Sequence, residues 1–237
     1  MALRGSADLA DLAGRVVAVP LAVVAHVRGA KPMHPRGVVF DAVLDRHGLP
    51  GASGLGWLDE IGRDDVLVRL SRGAGLPARW PDLLGFALRL PAERPVDLLL
   101  SSTGRGRLTR LVPVPRRDAA TGYGSIMAYR SARGPVWLAA VPQGPALPSD
   151  PDGLAAAGPG RVVQLTAAVG RGPEQAFATV TLGAPRRPID PALAFDAVLH
   201  PPPGLAADGP MARFRRPAYA AARHARGEDA ETGPGAP

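Results

Sequence analysis

Short apolar runs separated by glycine and proline recur along this chain of 237 residues. Within them, polar and apolar positions alternate or β-branched residues predominate, a pattern typical of strands rather than helices. We predict strands at residues 38–44, 65–71, 85–90, 96–102, 135–141, 161–169 and 175–182. Strands at this spacing, without long helices between them, indicate an antiparallel β-barrel or sandwich.

The last two predicted strands should form a hairpin around Gly170-Arg171-Gly172-Pro173. Residues 103–134 are the least regular part of the chain. Five of their arginines stand among Gly and Pro, at positions 105, 107, 110, 116 and 117. This segment is either a basic loop over an anionic ligand or an exposed, solvated loop, and we favour the solvated loop.

Three segments are predicted along the chain. Residues 1–30 carry an apolar run from Val16 to Val27, which is too short to span a bilayer, since that needs about 20 residues. Acidic residues near the start also disfavour a secretory signal, so we predict an N-terminal helical arm. The barrel domain should cover 31–227 and end in a short helix bracketed by Pro217 and Gly227. Residues 228–237 are predicted to be a disordered tail.

The composition, with 46% hydrophobic and 21% charged residues, is that of a folded domain. The 27 Pro and 29 Gly residues disfavour a helical bundle, so a β-rich (α+β) class is expected. The net charge of +7 comes almost entirely from arginine, with Lys31 the single lysine, as expected of a GC-rich coding sequence such as an actinobacterial one. Since these arginines are dispersed and aromatic residues are few, a nucleic-acid partner is disfavoured.

Several kinds of chemistry are disfavoured by the residues present. The chain has no cysteine, so it has no disulfide framework or thiolate metal site, and we expect a cytoplasmic protein. Its five histidines form no HxH or HExxH pattern, which disfavours a zinc or two-metal hydrolase. Neither a Gly-x-Ser-x-Gly elbow nor a strand–helix Gly-x-Gly-x-x-Gly motif occurs.

Several ordered blocks together resemble the catalase family. His34-Pro35-Arg36-Gly37 is similar to the family's His-Ala-Lys-Gly, and Val68-Arg69-Leu70-Ser71 to Val-Arg-Phe-Ser. Gly85-Phe86-Ala87-Leu88-Arg89 is similar to Gly-Phe-Ala-Leu-Lys, and Asp97-Leu98 follows as in the family. From Met211 to Tyr219 the spacing matches Met-x-x-x-Arg-x-x-x-Tyr. The resemblance covers about residues 31 to 226 and implies a catalase-like antiparallel β-barrel.

The resemblance also implies a haem b site with the iron on the phenolate of Tyr219. Of the remaining cofactor-binding residues, Arg215 would stabilise that phenolate, and Lys31 and Arg226 would meet the haem propionates. On the distal side, His34 would be the acid–base residue, and Ser71 would hydrogen-bond to it. Arg69 would serve the distal strand, and Ser101 stands where the family has a catalytic Asn.

Two departures from the family change the expected activity. A serine at position 101 is shorter than Asn, and the family's next aromatic block is replaced by the arginine-containing segment. We therefore expect peroxidase or hydroperoxide-processing activity, with peroxide or an organic hydroperoxide as substrate, rather than classical catalase activity. The alternatives are a non-catalytic barrel that binds haem or another apolar ligand, and a haem-free phosphodiesterase-type hydrolase. No membrane span is expected, and a homo-oligomer is possible.

Overall fold

The computed structural model describes residues 34–51 and 53–207 of the chain. These residues form nine strands, two short α-helices and one 3-10 helix. The strands are β1 (Arg36–His47), β2 (Ile61–Arg72), β3 (Leu84–Leu90), β4 (Val96–Ser102), β5 (Tyr123–Gly124), β6 (Tyr129–Ser131), β7 (Gly134–Pro142), β8 (Val162–Val169) and β9 (Gln175–Pro185). The helices are α1 (Gly56–Asp59), α2 (Pro151–Ala157) and the 3-10 helix Thr109–Leu111.

The sheet is antiparallel and closes on itself. Its order is β5-β4-β3-β2-β1-β9-β8-β7, and β5 also pairs with β7, so eight strands form a closed barrel. The ninth strand, β6, makes a hairpin with β7 outside this ring. The structure thus selects the barrel over the sandwich, and all seven predicted strands and the β8–β9 hairpin are confirmed. The predicted helical arm, C-terminal helix and tail lie outside the described residues.

Alternation along the strands separates an apolar interior from an outer face that carries polar and small residues. On β2, Val66, Val68 and Leu70 are buried in the core cluster, as are Phe86 and Leu88 on β3. Residues of the opposite parity on these strands point to the outer face, because successive side chains alternate across a strand. This parity brings the candidate residues Arg69 and Ser71 of β2 and Ser101 of β4 to one side of the barrel wall.

Elements inside the irregular segment were not predicted from the sequence. β5 has two residues and β6 has three, which is too short for an alternation pattern. β5 nevertheless completes the ring, since Tyr123 and Gly124 pair with β4 on one side and β7 on the other. The Tyr123 ring packs in the interior against Phe86, with 5.8 Å between ring centroids. Tertiary pairing, rather than local propensity, makes this a strand.

Within residues 34–51 and 53–207, no helix is long and apolar enough to cross a membrane.

Candidate functional site

The site begins with a direct contact between two of the predicted distal residues. The Nδ1 atom of His34 and the Oγ atom of Ser71 are hydrogen-bonded at 3.0 Å. His34 stands just before β1 and Ser71 near the end of β2, and the antiparallel register pairs Gly37 with Ser71. The hairpin between β1 and β2 therefore brings residues 37 positions apart into contact. Ser71 is buried and the imidazole of His34 is half-buried.

The backbone of His34 is in the left-handed region, with φ of 65°. This conformation costs a residue other than glycine roughly 1 kcal/mol or more, so the surroundings must hold it. Two hydrogen bonds do so: the His34 N–H donates to the Gly73 carbonyl at 2.9 Å, and Arg69 Nη2 donates to the His34 carbonyl at 2.9 Å. The ring direction is thus set from the backbone as well as by Ser71.

A forked ion pair fixes Arg69. Its Nε and Nη2 atoms donate to the two carboxylate oxygens of Asp190 at 2.7 and 2.8 Å. Bidentate Arg–carboxylate pairs are strongly directional, which aims the guanidinium at the carbonyl of His34. Arg69 therefore acts in this site on the backbone of His34. Asp190 lies 121 residues further along the chain, and no sequence motif marked it as a partner.

A glycine lies directly beneath the His34–Ser71 pair. A Cβ atom on Gly85 would stand 2.6 Å from Cε1 of His34, 2.8 Å from its Nδ1 and 2.7 Å from Oγ of Ser71. Ordinary carbon contacts need about 3.5 Å. Only glycine leaves room for both side chains here. Gly85 thus has a steric role in the site, which the sequence motif alone did not specify.

Gly85 belongs to a row of small residues that crosses five adjacent strands. Direct pairing connects Gly37, Ser71, Gly85, Ser101 and Gly124 on β1 to β5. We call these five residues the small-residue row. No side chain in it is larger than a hydroxymethyl group. Ser101 shares this face with His34 and Ser71 but lies two strands from Ser71, about 10 Å away at the usual strand spacing.

A buried ion pair anchors the loop that contacts His34. Arg72 and Asp82 are 2% and 1% exposed, with 3.7 Å between the Arg72 Nε and an Asp82 carboxylate oxygen. Asp82 also accepts hydrogen bonds from the backbone N–H groups of Ala74 and Leu76, at 2.8 and 2.9 Å. Because Gly73 adjoins this loop, the pair holds the carbonyl to which His34 donates.

The predicted site residues are only partly within the described structure. His34, Arg69 and Ser71 form one hydrogen-bonded group, and Ser101 shares its face of the barrel. The predicted haem-binding residues lie outside the described residues and stay predictions: Lys31, Arg215, Tyr219 and Arg226. Among residues 34–51 and 53–207 there is no cluster of three or more His, Cys, Asp or Glu side chains that could hold a metal ion.

Comparison with known proteins relates this barrel to catalases by structure alone. No family model and no curated protein matches the sequence. A fungal catalase superposes with a TM-score of 0.57 at 14% identity over 86% of this chain and 62% of its own. For catalase A from Saccharomyces cerevisiae, the TM-score is 0.54 at 12% identity, over 94% of this chain and 65% of its own.

At these identities the likeness concerns the fold, and this chain spans less than two thirds of the length of either catalase. One catalase is fungal and the other comes from yeast, so neither supports the actinobacterial source expected for this chain. The closed antiparallel ring and the superpositions nevertheless agree with the architecture predicted from the sequence blocks. The barrel has the catalase-like fold.

Proposed function

We propose that this barrel binds haem b beside the His34–Ser71 pair, on its outer face, and uses it for peroxide-dependent oxidation. The observation that carries the proposal is the packing of His34 and Ser71 over Gly85, on the outer face of a catalase-like barrel. A half-buried imidazole with a fixed ring direction is suited to moving a proton at a defined point. Residues other than glycine that are held in the left-handed region cluster at functional sites, which supports this proposal.

The described residues bring the predicted distal groups together on one outer face of the barrel. The space over Gly37 is filled by the Arg69 guanidinium, the space over Gly85 by His34 and Ser71, and the space over Gly124 by the Thr103 side chain. A flat ring would therefore lie beyond these side chains, next to His34, rather than on the backbone of the row. Tyr219 would hold the iron as a phenolate, with Arg215 nearby and with Lys31 and Arg226 at the propionates. Bound haem would supply a ferric centre able to exchange electrons with a peroxide.

The residues of the chain have distinct roles in this proposal. In this proposal Nε2 of His34 would take the peroxide proton and return it to the leaving oxygen, while Nδ1 stays hydrogen-bonded to Ser71. Ser71 keeps the ring in place, and Arg69 holds the backbone from which the ring projects. The Ser101 hydroxyl would hydrogen-bond to the peroxide from the neighbouring part of the row. Its shorter reach than Asn is why we assign peroxidase or hydroperoxide-processing activity rather than fast disproportionation.

An absorption spectrum of protein expressed with haem tests the cofactor part of this proposal. A ferric phenolate spectrum is expected for the native chain and for Tyr129→Phe, a matched change of another tyrosine. Tyr219→Phe should lose that spectrum. An unchanged spectrum in Tyr219→Phe would remove the proximal assignment, and absence of haem from the native protein would refute the proposal.

Activity of the haem-loaded protein tests the role of His34. His34→Ala should retain haem but lower the rate of peroxide-dependent dye oxidation by about 100-fold or more, the usual contribution of a general acid–base group. His47→Ala, which changes an exposed histidine at the far end of β1, should stay within about twofold of the native rate. Haem uptake without any turnover in the native protein would instead indicate a carrier.

A further inference from the structure

A second feature of the outer wall is a cavity beside the Gly124 end of the small-residue row. Arg110 lies over the face of Trp137, with 3.8 Å between the guanidinium carbon and the ring centroid. Both side chains line the cavity, together with Ile126 and Ala139. We call it the Arg110 cavity. None of its groups has a role in the chemistry proposed for His34.

The donors of this cavity are incompletely satisfied. The Nε atom of Arg110 and the Nε1 atom of Trp137 are buried and have no hydrogen-bond partner in the part of the chain that the structure describes. Among residues 34–51 and 53–207, no carboxylate forms an ion pair with Arg110. Burial, and then the nearby charge of Arg107, lower the pKa of Arg110, and the charge of Glu174 only partly opposes them. Buried N–H donors without acceptors are costly, so a missing acceptor is the simplest reason for this arrangement.

The one carboxylate in the lining is already engaged. Glu174 accepts a hydrogen bond from the Thr166 hydroxyl at 2.7 Å, and Arg105 Nη2 is 3.5 Å from the same oxygen. The two arginines in the lining therefore face a single carboxylate, which leaves an excess positive charge. A second anion would balance that charge and could accept from the guanidinium of Arg110 and the indole of Trp137.

The size of the cavity limits this anion. The centre of a water-sized sphere can occupy about 30 Å³ of the cavity, and one water molecule needs about 10–15 Å³ on the same measure. The space therefore matches two oxygen-sized groups, such as the two oxygen atoms of a carboxylate. Ile126, Ala139, Val141 and Ala168 make much of the remaining lining apolar. These residues would contact the ligand where it leaves the carboxylate, so that part of the ligand should be apolar.

We propose that the Arg110 cavity binds the carboxylate of an apolar organic acid. Gly124 belongs to both the cavity and the small-residue row, and Gly85 beneath His34 is two strands away. Two strand spacings are about 10 Å, and Trp137, which Arg110 covers, lies on β7, one strand further away. An acid held at Arg110 could thus present to His34 a group about 10–15 Å from its carboxylate. Carboxylate binding does not depend on haem, whereas the use of this acid as hydroperoxide or co-substrate rests on the proposed function.

Isothermal titration calorimetry of the 237-residue chain with octanoate tests the binding site. Octanamide is the neutral probe of the same length. Arg110→Gln should weaken octanoate binding roughly ten- to hundredfold, because it removes a charge-assisted hydrogen bond. Arg107→Gln is the matched control: it removes one positive charge nearby, from a side chain that donates to the Arg171 carbonyl outside the cavity. It should change binding by less than about twofold, as expected of an exposed, screened charge.

The outcomes separate this site from general charge attraction and from the haem proposal. In the native protein, octanamide should bind at least roughly tenfold more weakly than octanoate, a comparison that needs no variant. Equal binding of the two probes, equal losses in Arg110→Gln and Arg107→Gln, or no octanoate binding would each overturn the inference. The titration is run with and without added haem. Octanoate binding in protein that takes up no haem would support the cavity while refuting the haem proposal.

Discussion

Gly85→Ala is the substitution for which the structure makes the sharpest prediction. The added methyl group would stand 2.6 Å from Cε1 of His34 and 2.7 Å from Oγ of Ser71. To restore an ordinary distance of about 3.5 Å between the methyl carbon and Cε1, the imidazole must move away by about 0.9 Å. The strand itself cannot retreat easily, because β3 is paired on both sides by β2 and β4.

The consequences for stability and activity should differ in size. The two atoms nearest the methyl group belong to side chains that can turn aside, so the free energy of unfolding should fall by only about 1–3 kcal/mol, as for other overpacked sites. The hydrogen bond between His34 and Ser71 would be lost in that movement. A displacement of about 1 Å at a catalytic group can cost about 100-fold in rate. We therefore expect a folded protein whose peroxide-dependent rate is about 100-fold lower.

The measurements are urea unfolding, dye oxidation at matched haem content, and NMR of the imidazole nitrogens. Gly56→Ala is the control, because its Cβ would meet only a Glu60 carboxylate oxygen at 4.0 Å. It should change the free energy of unfolding by less than about 1 kcal/mol and leave the rate and the His34 resonances unchanged. Native-like activity in Gly85→Ala would refute the role given to the His34–Ser71 contact. Unshifted His34 resonances would refute the steric argument itself.

Two further predictions concern ionised carboxylates. Asp190→Asn should lower the free energy of unfolding by about 1.5–3 kcal/mol, because the fork to the partly buried Arg69 is lost. Asp41→Asn, which breaks an exposed pair, should cost less than about 1 kcal/mol, and equal losses in urea unfolding would contradict this reasoning. Burial raises the pKa of Asp59, but hydrogen bonds from residues 53–55 outweigh it and lower the pKa overall. The stabilisation is present above the unfolded pKa of about 3.9 and is lost as pH falls through the folded value. The stability difference between native protein and Asp59→Asn should therefore shrink below about pH 4, and a constant difference would contradict the assignment.

Much of the barrel could be predicted from the sequence because its strands carry local signals. In β2 and β3, alternation with period two separates buried Val68 and Phe86 from outward-facing Arg69 and Gly85. The physical reason is that burial of one face is encoded residue by residue within each strand. β5 had no such signal, since a two-residue strand is stabilised only by the neighbours with which it pairs.

The sequence by itself determined the seven longer strands and, through the resemblance, the candidates His34, Arg69, Ser71 and Ser101. The tertiary structure decided which of these touch. It paired Arg69 with Asp190 over 121 positions, closed the ring through β5 and set Gly85 under the His34 ring. Contacts of this kind depend on register and loop closure, which involve the whole chain and leave no local pattern. The Arg110 cavity has the same origin. Arg110 comes from an irregular segment and Trp137 from a distant strand, and only closure of the barrel brings them together.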